Sequence, residues 1–478
     1  MTGNRIMNVL AKDLKKQTEL VERMASRTYR FRQCFHLMPV TGWLNDPNGL
    51  CMFQGVFHAF FQYSPFDAQG GVKLWGHCTS ENMVDWKQEG AALYPDSPFD
   101  CHGVYSGNVL VEDGRMYLYY TGNVKLDGDY DYIHTGRESN TVLTISEDGK
   151  TFGPKKVLMQ NCDYPEFVTC HVRDPKVWKE GDRYYMIQGA RTKEDQGTAL
   201  LFVSSDKENW TYSGQITTRE KFGCMWECPE YLKIGRRKVL SASVQGLTGG
   251  EWKNRNVYQS GYFFVEGDFP GDCQLSEYYL WDYGFDFYAP QSFRTEDGRM
   301  IQIGWMGMPD CPQHINKTLE DNWQHCFTFP REITQRDGML LQNPVRELRE
   351  KKEPVCMVTG NLHKEGIRTF EVDTEHIIDS AFRAVLAGEL VREYRDGFFR
   401  MYFLHTEKEA VSGGRDMRCT KLPELTDVKI LADVSSVEVF LNGGEAVFST
   451  RYYPDTYCVE IQAPGADIQF WNICHTKL

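Results

Sequence analysis

The chain reads as all-β: a five-bladed β-propeller over residues 31–348, a β-sandwich over 349–478 and a helical extension over 1–30. Three observations predict this. Aromatic residues make up 13% of the 478 positions and glycine occurs 42 times, a composition suited to short strands joined by tight turns. A unit of apolar strand, glycine turn and apolar strand recurs five times, with its glycines 54 to 67 residues apart. Beyond about residue 355 the spacing changes and a strictly alternating pattern takes over.

Taken in order, residues 6–25 predict an amphipathic helix, with Leu10, Leu14, Val21 and Met24 at helical spacing among Lys and Glu. The plain expectation is a helix docked on the body of the protein. The five repeats follow. Their turns are Gln54-Gly55, Asp113-Gly114, Gly181-Asp182, Gly235-Arg236 and Asp297-Gly298, each followed by an aromatic or β-branched run such as RMYLYYTG. Three repeats add an acidic turn ending in an aromatic: SENMVDW (80–86), SEDGKTF (146–152) and SSDKENW (204–210). A fixed period with several strands per unit marks a propeller, and five units make five blades. A single large sandwich is the rival fold. Residues 349–355 (REKKEPV) are charged and contain proline, so they read as a linker. After them Val437, Val439 and Leu441 alternate with Glu438 and Phe440, and Asn442-Gly443-Gly444 supplies a hairpin turn.

Composition narrows the function. Lys and Arg total 53 against 66 Asp and Glu, a net charge of −13, which disfavours nucleic acid or an anionic membrane as partner. No apolar run approaches the roughly 18 residues of a membrane span. The charged N-terminal stretch does not read as a signal peptide, and the odd count of 15 cysteines suits reduced thiols in a cytoplasm. Cys224 and Cys228 have loose metal-like spacing but no second pair follows, so no metal or cofactor is expected. A homo-oligomer is left open.

The first strand of a blade is normally the innermost. Counting back from each turn glycine, these strands carry Asp46, Ser106, Asp174, Glu227 and Asp286 at comparable steps. Singly, each has a bland reading: a turn aspartate in WLNDPNG, a strand-end partner for Arg173, a solvated glutamate before proline. Together, at matching places in separate repeats and with Trp43, Trp75, Trp226 and Trp305 nearby, they predict a funnel of carboxylates framed by aromatics. Crowded carboxylates differ in their affinity for protons, as acid–base work requires. Carboxylates with aromatic faces suit a sugar.

These residues carry a resemblance. WLNDPNG (43–49), FFQY (60–63), WGH (75–77), YSGN (105–108), RDP (173–175), ECP (227–229), DYGFDFYAPQS (282–292), PRE (330–332) and DVSSVEVFLNGG (433–444) stand in the order of glycoside hydrolase family 32, the β-fructofuranosidases. The resemblance spans about residues 31 to 455 and implies a five-bladed propeller fused to a β-sandwich. It implies a retaining mechanism that needs no metal. Asp46 is then the nucleophile, Glu227 the general acid/base, and Asp174 the residue that holds two fructose hydroxyls. Asn45, Gln62, Trp75, Tyr105, Ser106, Arg173 and Trp305 match the substrate pocket. The chain departs from the family pattern at Leu44, and at Tyr105 and Asn108, where the pocket rim would be affected.

The expected reaction is release of terminal β-fructofuranosyl units from sucrose, sucrose 6-phosphate or short fructo-oligosaccharides. The alternatives are a fructosyltransferase or arabinan hydrolase on the same scaffold, and a non-catalytic sugar-binding propeller. A phosphorylated substrate would want a cation at the rim, and Lys73, Arg137 and Arg191 lie in suitable loops. Cys228 should face away from the funnel if its strand is regular.

Overall fold

The architecture is that of a computed structural model, which describes residues 2–26, 29–269 and 271–474, with side chains from residue 12 onward. The helix runs Thr2–Met24. Thr18 is buried and Leu14 and Val21 are half-buried, whereas Met24 is 76% exposed. The docked stripe is therefore Leu14–Thr18–Val21, and it lies against the outermost strand of the first blade, Lys87–Leu93. Met24 falls off the end of that contact, and the side chain of Leu10 lies outside the described residues. No helix among the described residues is long and apolar enough to cross a membrane.

Five antiparallel sheets follow. Their first strands are Gly42–Phe53, Val104–Glu112, Val168–Glu180, Met225–Ile234 and Tyr288–Arg294. Each neighbours the next around a ring, and the fifth returns to the first. Closure is made by Trp323–Gln324, which comes from the blade-five region and pairs in parallel with Gly42 and Trp43 of blade one.

The hairpins have local causes. Gln54 and Gly55 take φ of 51° and 79°, and Asp113 and Gly114 take 50° and 70°, the double positive φ of a type I′ turn. Gly181 and Gly235 take positive φ at the first turn position instead. The three acidic motifs are Asx turns joining third to fourth strands. The Asn82 carboxamide oxygen accepts from the N–H of Val84 and Asp85 (3.0 and 2.8 Å). Asp148 accepts from Lys150 and Thr151, and Asp206 from Glu208 and Asn209.

The C-terminal strands form two layers around one core that includes Val372, Phe399, Val439 and Phe470. The layers share the long strand Cys458–Ile473, whose first part pairs with Phe382–Leu386 and whose end pairs with Phe370–Glu375. The expected linker at 349–355 is not one. Arg346–Lys351 forms a 3₁₀ turn over buried Leu348, and Lys352–Glu365 is already a sandwich strand. The charges of this stretch are engaged by the body of the protein: Lys352 pairs with Glu371 and Lys351 with Asp85.

The alternation of Ser436–Leu441 has two buried faces. Val437, Val439 and Leu441 enter the sandwich core, whereas Phe440 packs with Phe35 and Phe329 at the propeller. Glu438 accepts from Arg331 (2.6 Å) and the Phe329 N–H (2.6 Å), and lies 3.0 Å from His36 Nε2. The two domains therefore share a buried polar seam.

Candidate active site

All five inner strands break register within one residue of the same step. The unpaired residues are Asn45–Asp46, Tyr105–Ser106, Asp174–Pro175, Cys228–Pro229 and Ala289–Pro290, two residues against one on the neighbouring strand. The sequence supplies the reason. Pro47, Pro175, Pro229 and Pro290 have no N–H for the ladder. Gly107 fills the same place in blade two, where a Cβ would come within 1.9 Å of the Tyr119 carbonyl oxygen. Asp174, Cys228 and Ala289 adopt φ of 61°, 46° and 45°, so each bulge turns a side chain toward the axis.

Aligned on these prolines and Gly107, the axial step holds Asp46, Ser106, Asp174, Cys228 and Ala289. The step before it holds Asn45, Tyr105, Arg173, Glu227 and Tyr288. This corrects two expectations. Glu227 does not share the step of Asp46 and Asp174 but precedes it by one residue. Asp286 is not in the funnel: its carboxylate accepts from Arg415 Nε and Nη2 (2.7 and 2.8 Å) and from the Arg451 N–H (2.8 Å) at the seam with the sandwich. Burial alone would raise its pKa, but Arg415 holds it well below the usual range. Counting from turn glycines misaligned the blades because glycine is the second turn residue in blades one and two and the first in three and four, blade one has a further register shift between Asn48 and Cys51, and the turn of blade five, between Arg294 and Met300, is longer.

A pocket of about 280 Å³ opens at this end of the axis. Asp46, Asp174 and Glu227 line it together with Asn45, Gln62, Tyr105, Ser106, Arg173 and Trp305. Ser106 Oγ donates to Asp46 Oδ2 (2.7 Å). Burial raises the Asp46 pKa and Glu227 adds to it, against the Ser106 hydrogen bond. Asp174 Oδ2 accepts from the Cys228 N–H (2.9 Å). Burial lifts the Asp174 pKa to about 7; Arg173 opposes this and Glu227 and Asp46 reinforce it. Glu227 is held by the Tyr288 hydroxyl (2.7 Å), the Gln245 amide (2.8 Å) and Arg173 Nη1 (3.4 Å). Asn45 accepts from Trp43 Nε1 (2.8 Å), and Gln62 donates to the Val104 carbonyl (2.9 Å).

Four expectations differ. Trp75 is fully buried behind the pocket, where its indole N–H donates to the Tyr105 carbonyl (3.0 Å) and braces that bulge. Trp226 is likewise buried, donating to the Phe222 carbonyl. Asn108 is not at the rim; it bridges to Val177 of the next blade. Cys228 does not face away: the bulge carries Sγ to 3.6 Å from Asp174 Oδ2 and 4.0 Å from Asp46 Oδ2. Burial and these carboxylates push its thiol pKa far up.

Sequence reasoning missed Tyr288 and Gln245. Tyr288 was findable, because FYAP places it at the step of Glu227. Gln245 ends a second strand and carries no local signal. Among the described residues, no group of three or more His, Cys, Asp or Glu is placed to hold a metal ion.

Comparison with known proteins decides the family. The model described as glycosyl hydrolases family 32 N-terminal domain matches residues 36–344, and the family 32 C-terminal model matches 403–472. The chain belongs to glycoside hydrolase family 32. This family 32 chain is 38% identical over 441 residues to the sucrose-6-phosphate hydrolase of Bacillus subtilis, covering 88% of this chain and 89% of the relative. It is 37% identical over 458 residues to the raffinose invertase of Escherichia coli, covering 92% and 93%. Among solved structures, the sucrose-6-phosphate hydrolase from Lactobacillus gasseri superposes with a TM-score of 0.87 at 26% identity, over 96% of both chains. The Bombyx mori GH32 beta-fructofuranosidase superposes at 0.83 with 27% identity, over 98% and 99%.

Proposed function

We propose that this protein is a retaining β-fructofuranosidase acting on sucrose, sucrose 6-phosphate and short fructo-oligosaccharides. The observation that carries the reading is the convergence of three carboxylates with different partners on one pocket. Asp46 has one hydroxyl donor, Glu227 a cluster of three side-chain donors, and Asp174 a backbone N–H. The relatives' names, sucrose-6-phosphate hydrolase and raffinose invertase, support the same substrate class.

In this mechanism an Asp46 carboxylate oxygen bonds to the anomeric C2 of the fructosyl unit as the C2–O bond to the leaving sugar breaks. Glu227 gives its proton to the departing oxygen. Glu227 then takes a proton from water, the hydroxide oxygen bonds to C2, and Asp46 leaves with configuration retained. Asp174 holds fructose hydroxyls beside the reacting carbon. Ser106 keeps the reacting Asp46 carboxylate oriented. A cytoplasmic setting suits fifteen free thiols.

The test is NMR of the first product formed from sucrose. β-Fructose should appear before mutarotation, with fructose and glucose released in equal amounts. Early α-fructose would remove Asp46 as nucleophile, and glucose in large excess over fructose would indicate transfer rather than hydrolysis.

A further inference from the structure

Of the three cations suited by sequence to a phosphate, the fold leaves one at the pocket. Arg191 is engaged by Asp195 (2.7 Å). Arg137 donates to the Asn123 carboxamide oxygen (2.7 Å) and the Tyr132 carbonyl (2.9 Å) and stands behind Tyr105 rather than in the pocket lining itself. Lys73 lines the pocket. Its ammonium lies 4.9 Å from the centre of the Trp43 ring, and it has no hydrogen bond or ion pair among the described residues. The other cation of the lining, Arg173, is directed at Glu227.

The surroundings keep Lys73 open to a ligand. It precedes the strand Leu74–Ser80, at the end of a connection that begins after Ser64. Ser64 pairs with Trp43, so this connection sits at the pocket end of blade one. Gly70 and Gly71 turn it at φ of 112° and 139°, and Gly70 has no side chain to cover the ammonium. A lysine half-buried with no anion is costly, and burial draws its pKa down to about 8 despite Asp46.

Charge balance says what it is for. The pocket carries Asp46, Asp174, Glu227 and Asp310 against Lys73 and Arg173, on a chain of net charge −13. A phosphate dianion entering such a site is repelled unless an uncommitted cation meets it. The reacting fructosyl unit must lie against Asp46, Glu227 and Asp174, which leaves Lys73, over the face of Trp43, to the sugar that departs.

We propose that Lys73 binds a phosphate ester on the leaving sugar and thereby sets preference for a phosphorylated over a neutral substrate. The proposal rests on the fructofuranosidase reading. Its test compares kcat/KM on sucrose 6-phosphate and sucrose for the parent, Lys73→Met and Lys73→Arg, with glucose 6-phosphate, glucose and fructose 6-phosphate as inhibitors. Lys73→Met should lower the ratio of the two kcat/KM values by ~10- to 100-fold, and Lys73→Arg should hold it within a few-fold. Glucose 6-phosphate should inhibit the parent more strongly than glucose, and lose that advantage in Lys73→Met. Equal losses on both substrates would overturn the proposal and make Lys73 a charge partner of Asp46. So would an unchanged ratio, or inhibition by fructose 6-phosphate that alone depends on Lys73. Failure of the parent to cleave either substrate would sink the fructofuranosidase reading instead. Direct binding of glucose 6-phosphate to the parent and to Lys73→Met would then decide the phosphate site on its own.

Discussion

At the scale of single residues, the pocket separates three chemically similar carboxylates by what each one touches. Asp46→Asn and Glu227→Gln should each lower kcat by ~10²- to 10⁴-fold or more while the far-ultraviolet spectrum stays that of the parent; turnover near the parent level in either would refute that residue's role. Asp174 makes a second prediction. Its folded pKa of about 7 lies above the ordinary value of 3.8, so the native state holds a proton that the unfolded chain releases near pH 4. Its contribution to stability is therefore complete below about pH 4 and is lost as pH rises toward 7. Asp174→Asn keeps the left-handed backbone accessible and removes the titration. Urea unfolding should find the variant more stable than the parent at pH 8 by ~1–3 kcal/mol, with no such gain at pH 4. Cys228, beside the same carboxylates and buried, should resist alkylation while exposed Cys162 reacts; peptide mass spectrometry reads the order.

At the scale of the element, the bulge is what turns a propeller strand into a site. Two glycines test how much of this is space and how much is backbone angle. At Gly107 an added Cβ meets the Tyr119 carbonyl at 1.9 Å, and backbone on both sides cannot give way. Gly107→Ala should cost several kcal/mol (~3 or more) and lose activity with the fold. At Gly55 an added Cβ meets nothing within 4 Å and only the φ of 79° is strained. Gly55→Ala should cost ~1 kcal/mol and leave kcat unchanged. Thermal melts with parallel assays separate the two, and equal effects would mean that the bulge is not sterically defined.

At the scale of the whole molecule, the sandwich is fastened to the propeller by a buried network rather than by a flexible join. Arg331 donates to Glu438 and to Asp282 (3.0 Å), and His36 lies between Asp433 (2.9 Å) and Glu438 (3.0 Å). Removing one partner leaves the others buried and unpaired, so Glu438→Gln should cost ~3–5 kcal/mol. Burial lowers the His36 pKa, but its hydrogen bonds to Asp433 and Glu438 outweigh this and raise it overall. The stabilisation from charged His36 is complete below about pH 6.5 and is lost as pH rises through the raised value. The Tm should therefore fall on the alkaline side, and the fall should be shallower in Glu438→Gln. A parallel pH dependence in both proteins would remove His36 from the account.

Features with local causes were legible in the chain. Glycine at positive φ made the hairpins, Asx side chains made the third turns, and proline after Asp46, Asp174 and Cys228 made the bulges. Each acts within a few residues, so the five repeats and the motif carboxylates Asp46, Asp174 and Glu227 could be read directly. Only the tertiary structure decided which way neighbouring side chains look. Cys228 faces the carboxylates because its bulge reverses the alternation of a regular strand. Asp286 left the funnel because Arg415 and Arg451 arrive from the sandwich more than a hundred residues later. Trp75 and Trp226 went into the core, and Gln245 came to the pocket, through packing between strands and blades that no short stretch of chain encodes. What covers the face of Glu438 and Phe440 was undetermined for the same reason: alternation shows that a strand has two faces, but what covers the second depends on a partner distant in sequence.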